Sequence, residues 1–205
     1  MIKRSSKQYI DNLLKENLDW NVLDIGCGYT AHKNASVICD VQDLSNFYKD
    51  KNFIKLDRNK LPFKDNEFDF VIASHVIEHV KDVNIFIKEL SRVSSKGYIE
   101  LPTILEDNLV FENKKDHIWH MVFDDVENKL MISEKIQYLE PIITVSTSKK
   151  FYEFFRQSLV LELYWEDNIE FNLLNKKKYS YQKISRLALF RKFLSKQLRN
   201  FLRKN

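Results

Sequence analysis

Of the 205 residues, only three are glycine, three proline and two cysteine. Cys27 and Cys39 sit in apolar, strand-like contexts. They read as small buried hydrophobes of a reducing compartment, not as a disulfide framework. No apolar run reaches the ~18 residues a spanning helix needs, and no apolar block follows the basic and polar first ten residues, as a secretory signal would require. A cytoplasmic location is the expectation. Metal motifs are missing too: there is no HExxH and no paired-cysteine spacing. Gathering His75, His79, His117 and His120 around one zinc has no support in their spacing, so no metal is expected. The one glycine-rich bend also lacks the Lys and Ser or Thr that complete a phosphate-binding loop.

Carboxylates disappear after Glu170. From Phe171 to Asn205 there are eleven Lys and Arg and no acid, whereas the first 170 residues hold all 29 acids against 22 basic residues. The net charge of +4 therefore joins a mildly acidic body to a strongly basic end. A nucleic-acid enzyme would carry positive charge around its working face as well, so that partner class is disfavoured. A chain of this length makes one domain that buries about 70% of its extended surface.

The body is organised around Asn21-Val22-Leu23-Asp24-Ile25-Gly26-Cys27-Gly28. Val22, Leu23 and Ile25 suit a short strand buried on both faces. Gly26 and Gly28 allow positive φ and close approach of a ligand to the backbone, at the carboxyl end of a strand, where open α/β sheets bind ligands. Thr30 and Ala31 stand where a dinucleotide fingerprint would place another glycine and a helix start. Further strands are expected at Ser36–Cys39 ending in Asp40, at Phe53–Leu56 followed by Asp57 and Arg58, at Phe68–Ala73 as the central strand leading to Ser74 and His75, and at Gly97–Pro102 containing Glu100. Helical spacing covers residues 1–19 and 82–93. The segment 29–35 is short and polar, and reads as a shrunken first helix.

The run VLDIGCG resembles the first motif of class I S-adenosylmethionine-dependent methyltransferases, in particular the small-molecule, type 11-like branch. Leu61-Pro62-Phe63, Phe68-Asp69 and SHVIEHV (74–80) resemble the later signatures in the same order. The resemblance is close up to Pro102. It implies a Rossmann-like α/β fold with a mostly parallel sheet, helices on both faces and an antiparallel C-terminal hairpin. S-adenosylmethionine is the implied cofactor, with Asp24, Gly26, Cys27, Gly28, Asp40, Asp57, Arg58 and Ser74 as its binding residues; Asp40 would meet the ribose and Asp57 the adenine. A nicotinamide dehydrogenase would share the first strand and the ribose acid, but it offers no reason for LPF or SHVIEHV.

A hydroxyl acceptor calls for a general base, and histidine titrates nearest neutrality. His75 and His79 are the first candidates, with His117, His120 and Glu100 as further catalytic candidates. His75 and His79 would share a helix face if a helical turn starts at 74 or 75. His117 and His120 would point to opposite faces of a strand. Residues 103–117 read as polar and without pattern. Residues 118–133 read as a hairpin inserted over the site, and similar His-rich hairpins in small methyltransferases of surface-sugar assembly point to a saccharide or nucleotide-sugar hydroxyl in polysaccharide synthesis. The strongest hairpin signal, Leu159–Trp165 with Ile169–Leu174, is expected at the sheet edge. The expected organisation is a methyltransferase domain over 1–179 and a basic amphipathic helix over 180–205. Three uses compete for that helix: packing on its own sheet or on a second copy in a homodimer, peripheral contact with the anionic inner membrane face, and binding nucleic acid. A catalytically silent binding module is the non-enzymatic alternative.

Overall fold

The computed structural model describes residues 1–57, 60–174 and 183–203. The chain opens with strand β1 (Ile2–Arg4) and helix α1 (Lys7–Glu16). Ser6 caps α1 by accepting from the Tyr9 N–H. Strands β2 (Val22–Ile25), β3 (Val37–Asp40), β4 (Asn52–Lys55) and β5 (Phe70–Ser74) follow, then helix α2 (Val83–Val93) and strand β6 (Lys96–Pro102). Two short helices, α3 (Ile104–Leu109) and α4 (Asn113–Asp116), lead to the strands β7 (Trp119–Asp124) and β8 (Lys129–Glu134). Helix α5 (Val145–Leu159), strands β9 (Val160–Glu166) and β10 (Phe171–Leu173) and helix α6 (Arg186–Leu202) complete the described chain.

Seven strands form one sheet in the order β1-β9-β6-β5-β2-β3-β4. The run β6-β5-β2-β3-β4 is parallel, while β9 is antiparallel to β6 and β1 antiparallel to β9. Alternation along the strands makes two cores. Phe70 and Ile72 of β5 meet Ile10 and Leu14 of α1 on one face. Val71 and Ala73 meet Phe86, Ile87 and Leu90 of α2 on the other. The Leu61-Pro62-Phe63 turn is tied to α2: Glu89 accepts from the Leu61 N–H, and the Arg92 guanidinium donates to the carbonyls of Leu61 and Phe63. The expected α/β class with a mixed, mostly parallel sheet is what the chain forms.

Several local expectations are corrected. Residues 1–19 are not all helix, because Ile2–Arg4 pairs with Leu163–Trp165 and closes the sheet edge. Residues 29–36 form turns and no helix. Residues 103–117 contain α3 and α4, with Thr103 capping α3 through the Glu106 N–H. The predicted C-terminal hairpin does not form: β9 enters the main sheet, while β10 runs parallel to β8 in a second sheet of order β10-β8-β7. Both edges of β9 are paired, one with β6 and the other with β1. Asp167 adopts a positive φ at the start of the segment that carries the chain to the second sheet.

Candidate active site

The carboxyl ends of β2, β5 and β6 open into a cavity of about 700 Å³, covered by parts of α1, α4 and α5. Its first wall is the loop after β2. Gly26 and Gly28 both have positive φ, for different reasons. A Cβ on Gly26 would lie 2.4 Å from Val76 Cγ2, so that glycine allows close packing under the loop, whereas nothing lies within 4 Å of one on Gly28. Gly28 thus leaves backbone open to the cavity. Without a helix, side chains hold this loop in place. Asp40 accepts from the N–H of Gly28 (2.9 Å) and of Gln42 (2.8 Å), and Asp24 accepts from the His32 N–H (2.7 Å). The Tyr48 hydroxyl donates to the Gly28 carbonyl.

Asp24 is only 5% exposed, and burial pushes its carboxyl up to about 6 against the His32 hydrogen bond. Cys27 lines the cavity as a thiol that burial pushes up to about 12, so it is not an activated nucleophile. Asp40 is buried at the end of β3 behind the loop, and Asp57 is exposed; neither belongs to the cavity lining. Arg58 lies outside the described residues.

The second wall starts at the end of β5. Ser74 lines the cavity and pairs in register with Glu100. His75 takes a left-handed φ of 54°, which aims its ring between Glu78 and Glu100, 3.3 Å from an oxygen of each. Burial alone would lower its pKa, but the Glu100 and Glu78 carboxylates raise it to about 10. Both ring nitrogens of His75 thus face carboxylates, an arrangement that favours the protonated ring and turns neither nitrogen toward the open cavity. Glu100 would be raised by burial, yet His75 and Arg156 bring it down to about 2. Arg156 lies 2.7 Å from Glu100, and the Tyr98 hydroxyl sits between two carboxylates, 2.6 Å from Glu162 and 3.0 Å from Glu100. Glu100 is thus held inside a network, rather than at the substrate's disposal.

One 3₁₀ turn, Ile77–His79, follows, so His75 and His79 do not share a helix face. His79 turns the other way, with Nδ1 3.0 Å from the Asp116 carbonyl and its ring perpendicular to that of His117 at 4.5 Å between centroids. The β7–β8 hairpin is attached at this point: the Ile118 N–H donates to the Glu78 carbonyl and the Trp119 indole to the Val80 carbonyl. His117 precedes β7, so strand alternation does not apply to it. His117 and His120 meet the same carboxylate, Asp107, at 2.6 and 3.1 Å, and Lys135 reaches it at 3.0 Å. Burial would raise Asp107, but these partners hold it well below the usual carboxylate range. His120 lies outside the cavity lining, whereas His117 and His79 belong to it.

Glu78, His79 and His117 bring one potential ligand atom each within 4.8 Å of one another, although no metal motif is legible in the sequence. Glu106, Asp107, Tyr98, Arg156 and Lys135 were also missed. Only Glu106 had a local signal, the Thr-x-x-Glu spacing that opens a helix, and its side chain accepts from Ser148 and Tyr152 of α5.

Comparison with known proteins agrees with this geometry. A family model described as a methyltransferase domain matches residues 23–99, the span from β2 through the glycine loop and β5 into β6. An uncharacterised protein of Methanocaldococcus jannaschii is 30% identical over 148 residues, 62% of this chain and 63% of that protein. The (S)-tetrahydroprotoberberine N-methyltransferase of Eschscholzia californica is 30% identical over 123 residues, half of this chain and 31% of that enzyme. The chain thus spans less than two thirds of either relative. A putative methyltransferase of Haloferax volcanii, solved with the activator Trm112, superposes with a TM-score of 0.45 at 16% identity, over 79% of this chain and 92% of that one. Over residues 23–99 the chain matches the class I S-adenosylmethionine-dependent methyltransferase fold that the first motifs resemble. S-adenosylmethionine is the cofactor of that fold, and a glycine loop with open space above Gly28, beside a buried carboxyl, suits it.

Proposed function

We propose that the protein transfers the methyl group of S-adenosylmethionine to a hydroxyl of a small polar acceptor, a saccharide or nucleotide sugar. The observation that carries this reading is the layout of the cavity, with Gly28 and Asp24 on one wall and His79 and His117 on the other. When bound, the cofactor supplies an electrophilic methyl on a positively charged sulfur. Asp24 favours a positive charge beside it, because a nearby cation offsets the cost of ionising a buried carboxyl. Asp40 fixes the loop through one oxygen to each of two N–H groups and keeps lone pairs for ribose hydroxyls. Asp57 and Arg58 are assigned to the adenine end and Ser74 to the floor. The acceptor half is lined by Glu106, Glu112, Asn113 and Asp116, oxygen-rich groups suited to several hydroxyls. Holding both reactants in one enclosed space can supply up to about 7–11 kcal/mol of the barrier reduction in ideal cases.

Calorimetric titration with S-adenosylhomocysteine tests the donor half. Binding by the parent with weaker binding by Asp40→Asn is the expected result, and no heat at millimolar ligand overturns the reading. Transfer of label from methyl-labelled donor to a panel of nucleotide sugars, with amine-bearing and nucleic-acid controls, tests the acceptor class.

The terminal helix is assigned a second role, contact with an anionic lipid surface. None of the residues of α6 is buried. It exposes Phe190, Phe193, Leu198 and Phe201 beside Arg191, Lys192, Lys196 and Arg199, the composition of an interfacial helix. No described helix is long and apolar enough to cross a membrane.

A further inference from the structure

We propose that Glu78, His79 and His117 bind a first-row divalent transition-metal ion at the acceptor end of the cavity, with open coordination positions for oxygen atoms of the acceptor. The site itself stands on three side chains. Its use by the acceptor rests on the methyl-transfer reading above.

Each imidazole is already oriented as a ligand. The Asp116 carbonyl can only accept, so His79 donates from Nδ1 and, in the neutral ring, presents its lone pair at Nε2. His117 places Nδ1 2.6 Å from Asp107, which likewise directs Nε2 outward. A second nitrogen tied to a carboxylate or carbonyl is the usual support of a metal-binding histidine, because it sets both tautomer and ring angle. The two rings stand perpendicular with centroids 4.5 Å apart.

The third ligand is the independent observation. Glu78 is 0% exposed, and neither carboxylate oxygen receives a hydrogen bond from a described residue. His75 faces Oε1 at 3.3 Å, outside the geometry of a hydrogen bond, and among the described residues no ion pair reaches Oε2. Lys135 is engaged by Asp107 and the Asn113 carbonyl. His75 thus gives Glu78 one ion pair and no hydrogen bond; a fully buried carboxylate without a donor to either oxygen among the described residues is costly, and a second cation among these three residues would satisfy it. Two imidazoles and one carboxylate favour zinc, iron, cobalt or nickel over magnesium or calcium, which prefer all-oxygen shells. Exposed His79 gives an ion access from the cavity. An ion so placed would orient an acceptor hydroxyl and make it more acidic, a role that doubly engaged His75 cannot fill.

Tag-free, metal-stripped protein is titrated with Co²⁺, followed by visible absorption, with bound cobalt counted by elemental analysis after dialysis. The parent is expected to take up one equivalent, with bands of nitrogen and oxygen coordination. His79→Ala, at an exposed position, and the isosteric Glu78→Gln should each weaken uptake by at least about tenfold, the lower end of what losing even a supporting residue costs. Both should melt as folded proteins and bind S-adenosylhomocysteine as the parent does. A parent that retains no cobalt, or variants that retain as much as the parent, overturns the site. Cobalt uptake without S-adenosylhomocysteine binding sustains the ion site and overturns the donor reading; the reverse overturns the ion site alone.

Discussion

Helices α2 and α6 have the same kind of apolar stripe and opposite fates. α2 buries Val83, Phe86, Ile87, Leu90 and Val93 under the sheet, while α6, with Leu187, Phe190, Leu194, Leu198 and Phe201 available, buries nothing. Among the described residues, the ties of α6 to the body gather at its start: Ile184 bridges to Leu139, the Arg186 N–H donates to Glu140, and the Arg186 guanidinium lies over Phe111. Periodicity shows which face of a helix is apolar. It carries no information about what covers that face, and here charge supplies the missing clue. The acidic, site-bearing body holds α2, and the basic end carries α6.

The contrast can be broken most directly at two leucines. Leu90→Ala in α2 should cost about 2–5 kcal/mol, because it opens a cavity in a fully buried position, measured by urea denaturation. The site-bearing wall should respond next, and with pH. Burial holds Asp24 near 6, above the ordinary carboxylate range of about 4, so the unfolded chain ionises first and this residue costs stability progressively as pH rises from about 4 to 6. Asp24→Asn lacks that dependence. Its stability relative to the parent should therefore grow by up to about 3 kcal/mol between pH 4 and 7.5, and a flat difference would show that Asp24 ionises as freely as in the unfolded chain. Leu198→Ala in α6 should stay within about 0.5 kcal/mol; a loss like that of Leu90 would mean that α6 is covered in solution, as in a dimer, which sedimentation would reveal. Vesicles of anionic lipid should pellet the full chain and not a form ending before residue 183. Equal pelleting of both forms refutes the lipid assignment, and binding that follows added RNA instead assigns the helix to nucleic acid.

Much of the site's first wall was legible because it is local. The strand Val22–Ile25, the two glycines and Asp40 lie within nineteen consecutive residues, and the turn between them is set by backbone freedom at Gly26 and Gly28. The second wall was only half legible. His75 and His79 were found, but one left-handed residue at the end of β5 sends them in different directions, and a helical extrapolation cannot foresee that. His117 and His120 were assigned to opposite faces because a strand was assumed to begin before it does. Asp107, which gathers both, lies in a segment whose polarity concealed a capped helix.

Hydrophobic periodicity, turn residues and chain order were enough to specify the strands of the parallel sheet, α2 and the glycine loop, since each depends on neighbours a few residues away, while the methyltransferase class came from the resemblance of the motifs VLDIGCG, LPF and SHVIEHV to a known family. Tertiary structure alone decided that β1 closes the sheet, that β10 joins β8, that His75 is clamped by Glu78 and Glu100, and that Glu78, His79 and His117 converge. Those outcomes depend on which surfaces cover an unpaired edge or a buried charge in the folded chain, and partners separated by as much as 163 residues, as Ile2 and Trp165 are, leave no local mark in the sequence.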